Sequence, residues 1–303
     1  MAVKSGYVTI IGRPNAGKST LMNALMGEKL SIVTSKPQTT RKRVLGILSD
    51  DDFQIIFLDT PGLLNPNYLM QERLLGYINQ SINDADLLIF LVDMDSDKRF
   101  SQSLRNESYL SIARSVKKPK LLILNKIDLS NQNEVEKAFG EAERLNVFDK
   151  IIPISAINIK NPSEIISLIK SYLPEHPKYF PDDQISDENE RFFVSEIIRE
   201  KIFEYYRDEI PFSVEVIIDD FKEREGRKDF ISASIIVERE SQKPIIIGNK
   251  GSSIKIIGSK SREEIERFLG RPVYLELHVK VKPKWRRDEK LLRSFGYIDW
   301  NEK

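Results

Sequence analysis

The first half of the chain alternates between short apolar runs and segments with helical spacing of apolar residues. The apolar runs predict six strands, at Tyr7–Ile11, Val44–Leu48, Phe53–Leu58, Leu87–Val92, Lys120–Leu124 and Ile151–Ile154. The helical patterns lie near Lys18–Met26, Tyr68–Ser81, Ser101–Ser115, Glu134–Leu145 and Pro162–Tyr172. Several strands are continuous Ile, Leu and Val runs, which is typical of strands covered on both faces. The alternation predicts an α/β domain with a mostly parallel six-stranded sheet and helices on both faces.

The second and third predicted strands are an exception to the parallel pattern. Only Ser49–Asp52 joins them, and this connector is too short for a parallel crossover. We therefore expect this pair to be antiparallel.

A proline-rich stretch separates two different patterns. Leu173–Asp183 contains three prolines and cannot continue the helix before it. We predict a first domain over residues 1–175, a linker over 176–190 and a second domain over 191–303. The second pattern is a helix at 191–203, strands at 213–218 and 230–237, two helices flanking residues 248–251, a strand at 272–281 and a C-terminal basic helix. This gives the order α-β-β-α-α-β.

The composition gives information about the cellular compartment of the protein, but its near-zero net charge indicates no particular partner. The 303 residues have a formal net charge of +1 and 40% hydrophobic residues. No apolar run reaches the roughly 18 residues that a membrane span needs. The chain begins almost directly with a strand, so we expect no signal peptide. The absence of cysteine excludes disulfides and thiolate metal sites, and fits a cytoplasmic protein.

A glycine-bounded loop lies between the first strand and the first helix. It reads Gly12, Arg13, Pro14, Asn15, Ala16, Gly17, Lys18 and Ser19. Glycines let backbone N–H groups approach phosphate oxygens, and the helix N-terminus adds further donors. Lys18 supplies a charge for the β- and γ-phosphates, and the Ser19 hydroxyl suits Mg²⁺. The strand, loop and helix together predict a nucleotide phosphate site.

Two further motifs follow strands of the same predicted sheet. In Asp59–Gly62, the Asp can hold Mg²⁺ and the Gly lets an N–H meet a γ-phosphate. In Asn125–Asp128, the carboxylate can accept the two hydrogen bonds that guanine donates and adenine does not. Ser155–Ala156 would complete the base pocket with a backbone N–H. The motifs favour GTP over ATP, although each alone would pass as a turn.

The segment Ser35–Arg43 offers a hydroxyl that could complete the Mg²⁺ shell. Thr39 and Thr40 both qualify, and their order in the chain does not choose between them. The alternative is a plain polar connector to the next strand.

The second domain contains a candidate nucleic-acid loop, Gly248, Asn249, Lys250 and Gly251, followed by Lys255. Glycines in a G-x-x-G loop between two helices allow close approach to a nucleic-acid backbone, and the lysines add charge toward phosphate. We expect Ile246, Ile254 and Ile257 to form a groove for bases. Near the C-terminus, Lys284, Trp285, Arg286 and Arg287 combine phosphate attraction with base stacking. The alternative is a solvated helix whose apolar residues pack on the domain.

Together these motifs resemble the Era family, with an α/β P-loop GTPase domain of the Era, Der and MnmE type followed by an α+β type II KH domain. The resemblance implies a Mg²⁺ shell of Ser19, Thr40 and Asp59, and catalytic roles for Lys18, Thr40 and Gly62. It also allows a monovalent cation, K⁺, beside Asn15. The full predicted GTP-binding set is the loop residues 12–19, Thr20, Asp59, Thr60, Pro61, Gly62, Leu63, Asn125, Lys126, Asp128, Ser155 and Ala156.

One residue departs from many small GTPases. Leu63 stands directly after Asp59–Gly62, where a Gln often positions water, and an apolar side chain cannot do so. We therefore expect slow intrinsic turnover, or help from a partner, a cation or the loop around Thr40.

The resemblance implies a monomer that binds 16S rRNA near its 3′ end and assists small (30S) ribosomal subunit assembly, with no DNA partner. It also implies a cytoplasmic protein with peripheral association at the inner face of the membrane. We expect GTP to order residues 34–43 and 59–70, to alter the arrangement of the two domains and so to time RNA binding. Two alternatives remain, an RNA-binding scaffold whose GTPase half is regulatory or structural, and a tRNA-modification or membrane-trafficking GTPase.

Overall fold

The computed structural model describes residues 3–97, 100 and 102–299, and its chain forms two compact units. The first unit contains residues up to Ser31, Thr40–Asn65 and Leu74–Asp187. The second contains Ile32–Thr39, Pro66–Arg73 and the chain from Glu188 onward. The predicted boundaries at 175 and 190 stay a prediction.

The first unit is built on a seven-stranded sheet. Its strands are β1 (Val3–Gly12), β2 (Val44–Asp50), β3 (Phe53–Asp59), β4 (Leu87–Asp93), β5 (Lys120–Asn125), β6 (Lys150–Pro153) and β7 (Glu175–His176). The order is β2-β3-β1-β4-β5-β6, with β7 pairing β1. The pair β2 and β3 is antiparallel, which confirms the expectation from its short connector. The two-residue β7, antiparallel to β1, was not predicted because it lies between prolines.

Among the residues that the structure describes, the helices that accompany this sheet are α1 (Lys18–Met26), α2 (Leu69–Asp84), α3 (Glu107–Ser115), α4 (Gln132–Leu145) and α5 (Ser163–Tyr172). Every residue of β3 and β4 is buried, as the continuous apolar runs indicated. The predicted start of α3 at Ser101 lies outside the described residues. The helix itself begins later, because the Asn106 side chain accepts a hydrogen bond from the Tyr109 N–H and caps it.

The segment after β7 lies against the first sheet. The Gln54 side chain donates to Phe180 O at 2.9 Å, and the Ile47 N–H donates to Ile185 O at 2.9 Å. The Ser186 hydroxyl donates to Leu45 O at 2.7 Å. These bonds tie part of the predicted linker to β2 and β3.

The second unit carries a three-stranded sheet. Its elements are α6 (Glu190–Tyr205), α7 (Ile210–Ser213), β8 (Glu215–Lys222), β9 (Asp229–Val237), α8 (Gln242–Ile247), α9 (Ser252–Leu269), β10 (Val273–Val281) and α10 (Glu289–Ser294). β9 pairs β8 antiparallel and β10 parallel. The predicted order of main elements is confirmed, with the short α7 as an addition.

The C-terminal segment is not the continuous basic helix that the pattern predicted. A 3₁₀ turn, Trp285–Arg287, is followed by the short α10. Asp288 is extended and its side chain caps α10 by accepting from the Leu291 N–H. The extended Asp288 therefore separates the 3₁₀ turn from α10.

In the part of the chain that the structure describes, no helix is both long and apolar enough to cross a membrane.

Candidate functional site

The loop between β1 and α1 is held in an unusual backbone conformation. Gly17 has φ +97°, and Asn15 has φ 65°. A Cβ at Gly17 would lie 2.3 Å from Nδ2 of Asn125, so the position requires glycine for space as well as for conformation. The loop that the sequence identified is therefore shaped by a residue more than a hundred positions later.

Lys18 begins α1 and is buried. Its ammonium donates to Gly12 O at 3.2 Å and to Arg13 O at 3.0 Å. Burial lowers the pKa of Lys18 to about 8, although the Asp59 carboxylate acts in the opposite direction. The charge of Lys18 is thus held inside the loop that surrounds it.

The three predicted Mg²⁺ ligands lie together. The Ser19 hydroxyl donates to Asp59 Oδ2 at 2.8 Å, and the Thr40 hydroxyl donates to the same oxygen at 3.3 Å. The Ser19 and Thr40 hydroxyl oxygens are 3.0 Å apart. Thr39 instead bonds to Thr34 and to Lys36 O. The geometry therefore favours Thr40, the residue that the resemblance chose.

The oxygens of this cluster fit a hard divalent cation. Asp59 is fully buried, and its Oδ1 atom has no hydrogen-bond partner. Burial raises the pKa of Asp59, against the effect of the neighbouring Lys18 charge. A buried carboxylate oxygen without a partner is costly, and a cation would relieve that cost.

The motif after β3 packs closely on the phosphate loop. A Cβ at Gly62 would lie 2.5 Å from Pro14 N, and the Leu63 N–H donates to Gly12 O at 3.0 Å. The Thr60 hydroxyl donates to Ile10 O at 2.9 Å. The Leu63 side chain packs against an apolar cluster, which agrees with its inability to position water.

Asn125 connects the base motif to two other loops. Its Nδ2 donates to Ala16 O at 2.8 Å, and its Oδ1 accepts from the Ala156 N–H at 2.9 Å. The side chain is buried, and its two bonds connect the phosphate loop with the residue after Ser155. The Ala156 N–H, a candidate donor to the base, is used by Asn125 in this structure. Ser155 accepts from Asn158 at 2.9 Å.

Lys126 is half-buried and Asp128 is exposed in the same loop. Lys126 has φ 63° and donates to Asp93 Oδ2 at 2.7 Å. Asp128 is exposed in the 3₁₀ turn Ile127–Leu129, where a carboxylate is accessible to a base.

Asp93 lies beside the candidate site, and the motifs did not identify it. It ends β4 and pairs in register with Asn125, at the carboxyl end of the parallel strands. Burial acts to raise the pKa of Asp93, but hydrogen bonds from Lys126 and Ser96 lower it below the usual value. The signal was available, because an Asp at the end of a buried strand follows the rule used for Asp59.

The G-x-x-G loop of the second unit is exposed and tightly turned. Gly248, Lys250 and Gly251 have φ values of 75°, 49° and 80°. Asn249 and Lys250 are exposed, as is Lys255 on α9. The predicted isoleucine groove is only partly correct, since Ile246 and Ile257 are buried in the core and Ile254 lines a surface groove.

The prediction that Trp285 stacks on bases is wrong in this fold. Its ring is fully buried, its Nε1 donates to Ser213 O at 3.0 Å, and it contacts Phe295 edge to face. Because its ring is buried beside Phe295 and Tyr297, Trp285 cannot meet a base.

Arg286 is also engaged within the second unit. It forms an ion pair with Glu238 and lies 4.9 Å from the centroid of the Tyr68 ring. Lys284 and Arg287 are exposed and remain candidates for phosphate contact. The basic tail thus divides into structural and accessible residues.

Comparison with known proteins agrees with both halves of this description. Residues 7–126 match a family model described as a 50S ribosome-binding GTPase, and residues 209–286 match one described as a KH domain. GTPase Era of Clostridium kluyveri is 44% identical over 97% of this chain and 99% of the relative. This chain belongs to the Era family of GTPases.

Solved Era structures extend the match. An Aquifex aeolicus Era variant bound to GDP·AlF4⁻ superposes with a TM-score of 0.91 at 40% identity, covering 98% of this chain and 100% of that one. Era in complex with MgGDPNP and nucleotides 1506–1542 of 16S ribosomal RNA gives the same values. GTPase Era of Staphylococcus haemolyticus is 41% identical over 98% of both chains. The fold class is confirmed, and this Era-family protein is a GTPase that converts GTP to GDP and phosphate.

Proposed function

We propose that this GTPase binds 16S rRNA near its 3′ end in a nucleotide-dependent way and acts in assembly of the 30S ribosomal subunit. The observation that carries the proposal is one chain holding both a braced phosphate loop and an exposed G-x-x-G loop. The complex of the related Era with MgGDPNP and a 16S rRNA fragment supports the choice of RNA.

The GTP site would use its residues in distinct roles. Lys18 would hold the β- and γ-phosphates, and the Gly62 N–H would meet the γ-phosphate. Asp128 would select guanine, with Asn125 bracing the loop and Lys126 covering the base. Thr40 would sense the γ-phosphate, since its hydroxyl lies beside Ser19 and Asp59.

Ser19, Thr40 and Asp59 would hold Mg²⁺. Bound there, the ion supplies charge neutralisation for the phosphate oxygens during transfer. The unpartnered Oδ1 of Asp59 supports this assignment. We also propose that a K⁺ ion binds at Asn15, the single residue that we assign to this ion. Asn15 is exposed and lies in the phosphate loop. Comparing turnover in K⁺ and Na⁺ tests that ion.

Two short segments that neighbour the nucleotide ligands along the chain support nucleotide dependence. Residues 32–39 and 66–73 belong to the second unit, directly before Thr40 and shortly after Gly62 in the chain. Within that unit, the Val33 N–H donates to Glu200 at 3.0 Å, and Arg73 donates to Glu289 at 2.7 Å. A γ-phosphate that moves Thr40 would therefore act on chain continuous with the RNA-binding unit.

The test uses two lysines, one in each loop. Lys18→Ala should reduce GTP turnover on the order of 100-fold, because the phosphate charge loses its partner. Lys250→Ala should keep turnover and weaken binding of a 16S rRNA 3′ fragment by about tenfold. Phosphate release and RNA titration measure the two effects separately.

Nucleotide dependence has its own readout. RNA affinity measured with GDP and with a non-hydrolysable GTP analogue should differ by at least about fivefold. Equal affinities would contradict the control of RNA binding by the bound nucleotide, and would favour a constitutive RNA-binding scaffold. RNA crosslinked to the protein in cells identifies the target, and tRNA in place of 16S rRNA would favour a tRNA-modification GTPase.

We also propose that the protein is a cytoplasmic monomer with peripheral association at the inner face of the membrane. Membership of the Era family supports these assignments. Analytical ultracentrifugation and fractionation of cells at low and high salt measure them, since peripheral binding through charge weakens with salt.

A further inference from the structure

A row of side chains crosses the outer face of the three-stranded sheet in the second unit. Tyr274 on β10 lies opposite Phe230 on β9, and Phe230 lies opposite Lys222 on β8. Their neighbours Val273 and Ile231 belong to the apolar core. Since successive strand residues point to opposite faces, the row lies away from that core.

The two rings of this row form a nearly parallel, stacked pair. Their planes differ by 16°, and their centroids are 6.1 Å apart. Tyr274 is 53% exposed, whereas Phe230 is half-buried. Such a surface offers a ring face to a nucleic-acid base.

Two cations lie over the Phe230 ring. Lys222 Nζ is 5.8 Å and Arg224 Cζ is 4.9 Å from the ring centroid. The Arg224 N–H donates to Asp229 Oδ1 at 2.9 Å, which fixes the start of the hairpin loop. A guanidinium plane placed on an aromatic ring can itself stack with a base or contact phosphate.

The hairpin loop beside the row carries more cationic than anionic side chains. The hairpin loop 222–228 carries four cationic and two anionic side chains, a net charge of +2. The nearby carboxylates of Asp229 and Glu190 are both bonded to Arg271, at 2.6 Å each. Asp220 is paired with Lys222. With Lys222 paired in this way, the other loop cations outnumber the loop carboxylates by one: Arg224, Arg227 and Lys228 against Glu223 and Glu225.

Tyr274 also borders a groove between α9 and β10. This groove has a volume of about 370 Å³, and Lys255, Gly258, Arg262 and Leu277 contribute to its lining. Its helix begins directly after the G-x-x-G loop. A nucleic-acid strand that lies in the groove would therefore reach Tyr274 and then the outer face of the sheet.

We propose that Tyr274, Phe230, Arg224 and Lys222 form a base-stacking platform that extends the RNA site beyond the groove. The ligand is single-stranded RNA, because one exposed ring beside cations suits a base and its phosphate, whereas it offers little apolar area to a lipid surface. The proposal rests on the proposed RNA-binding function. It assigns the residues that would hold nucleotides at the end of the groove, where Tyr274 lies, and on the sheet face beyond it.

The test compares two RNA lengths on the full-length protein. Labelled oligoribonucleotides of about four and about eight nucleotides from the 16S rRNA 3′ segment should respectively fill the groove and reach the platform. Arg224→Ala should weaken the longer RNA about fivefold and leave the shorter within about twofold. It should also reduce the salt slope for the longer RNA by about 0.7.

A second pair of variants tests stacking directly. Tyr274→Leu should weaken binding of the longer RNA about tenfold. Tyr274→Phe should bind it as the unchanged protein does, because the ring is kept. Thermal unfolding of each variant checks that the fold is intact. Lys250→Ala serves as the reference, since it should weaken both lengths.

Several results would overturn the platform. One is an unchanged affinity of Arg224→Ala for the longer RNA, and another is an equal loss for both lengths. A third is loss of binding to anionic phospholipid vesicles in Arg224→Ala and Tyr274→Leu with RNA affinity retained. If the wild-type protein bound neither RNA, the proposed function would fail and the platform with it. If Lys250→Ala weakened both RNAs while Arg224→Ala changed neither, only the platform would fail.

Discussion

The phosphate loop at residues 12–17 and the G-x-x-G loop at 248–251 have the same local design and different surroundings. Each loop ends in a glycine that has a positive φ and directly precedes a helix. The φ values are +97° at Gly17 and +80° at Gly251. A Cβ at Gly17 would lie 2.3 Å from the Asn125 side chain, whereas a Cβ at Gly251 would meet nothing within 4 Å. One loop is enclosed by distant parts of the chain, and the other is open.

This difference matches the size of what each loop is proposed to bind. A nucleotide phosphate is small, so a loop braced by Asn125 and covered by Gly62 can enclose it. An RNA strand is long and must lie along a surface, so Gly248–Gly251 stays exposed. The comparison predicts that matched changes will damage the first loop more than the second.

The largest expected contrast is between Gly17→Ala and Gly251→Ala. Both add strain at positive φ, but only the first also clashes with Asn125. We expect Gly17→Ala to lower the free energy of unfolding by about 4 kcal/mol and Gly251→Ala by about 1 kcal/mol. Urea unfolding monitored by circular dichroism measures both. Equal losses would show that conformation alone, and not enclosure, decides the glycine in the phosphate loop.

The next contrast uses two asparagines. Asn125→Ala leaves Ala16 O and the Ala156 N–H without their buried partner, so we expect a loss of about 2–3 kcal/mol. Asn249→Ala removes an exposed side chain and should change stability by less than about 0.5 kcal/mol. Guanine nucleotide affinity should fall only in the first variant. A stable Asn125→Ala protein with normal affinity would contradict the bracing role.

Enclosure also predicts a pH dependence at Lys18. With a folded pKa of about 8, the Lys18 ammonium releases its proton below the usual lysine range of about 10.4. The unfolded chain binds more protons between these values, so the unfolding free energy should rise with pH there by roughly 1 kcal/mol per unit. Lys18→Met should lack this rise, which denaturant titrations of both proteins from pH 7 to 10 would reveal. Parallel pH curves for the two proteins would contradict the burial of a charged Lys18.

The smallest effect is expected in the basic segment Lys284–Arg287, where Arg286 is half-buried and its neighbour Arg287 is exposed. Arg287→Ala should weaken RNA binding by about twofold with unchanged stability, because it loses one exposed phosphate contact. Arg286→Ala should instead lower stability, since it breaks the pair with Glu238 and uncovers Tyr68. RNA titration and thermal unfolding separate the two. The opposite pattern would mean that Arg286 contacts RNA directly.

The sequence by itself determined the parts of this protein that depend on local rules. Apolar periodicity located the main strands and helices of both units, although not β7, α7 or the break before α10, and the short connector at Ser49–Asp52 required an antiparallel pair. Glycine spacing located both loops, because positive φ is a property of the backbone at one position. The order of motifs at the carboxyl ends of parallel strands then brought Ser19 and Asp59 together.

Only the tertiary structure decided how individual side chains are used. It joined Asn125 to Ala16 and Ala156, placed Asp93 beside the site and buried Trp285, which the basic pattern had assigned to RNA. Composition around Trp285 could not reveal this, since burial is set by contacts with residues such as Ser213 far away in the chain. Periodicity reports which face of an element is apolar, whereas the partners on that face come from the packing of the whole unit.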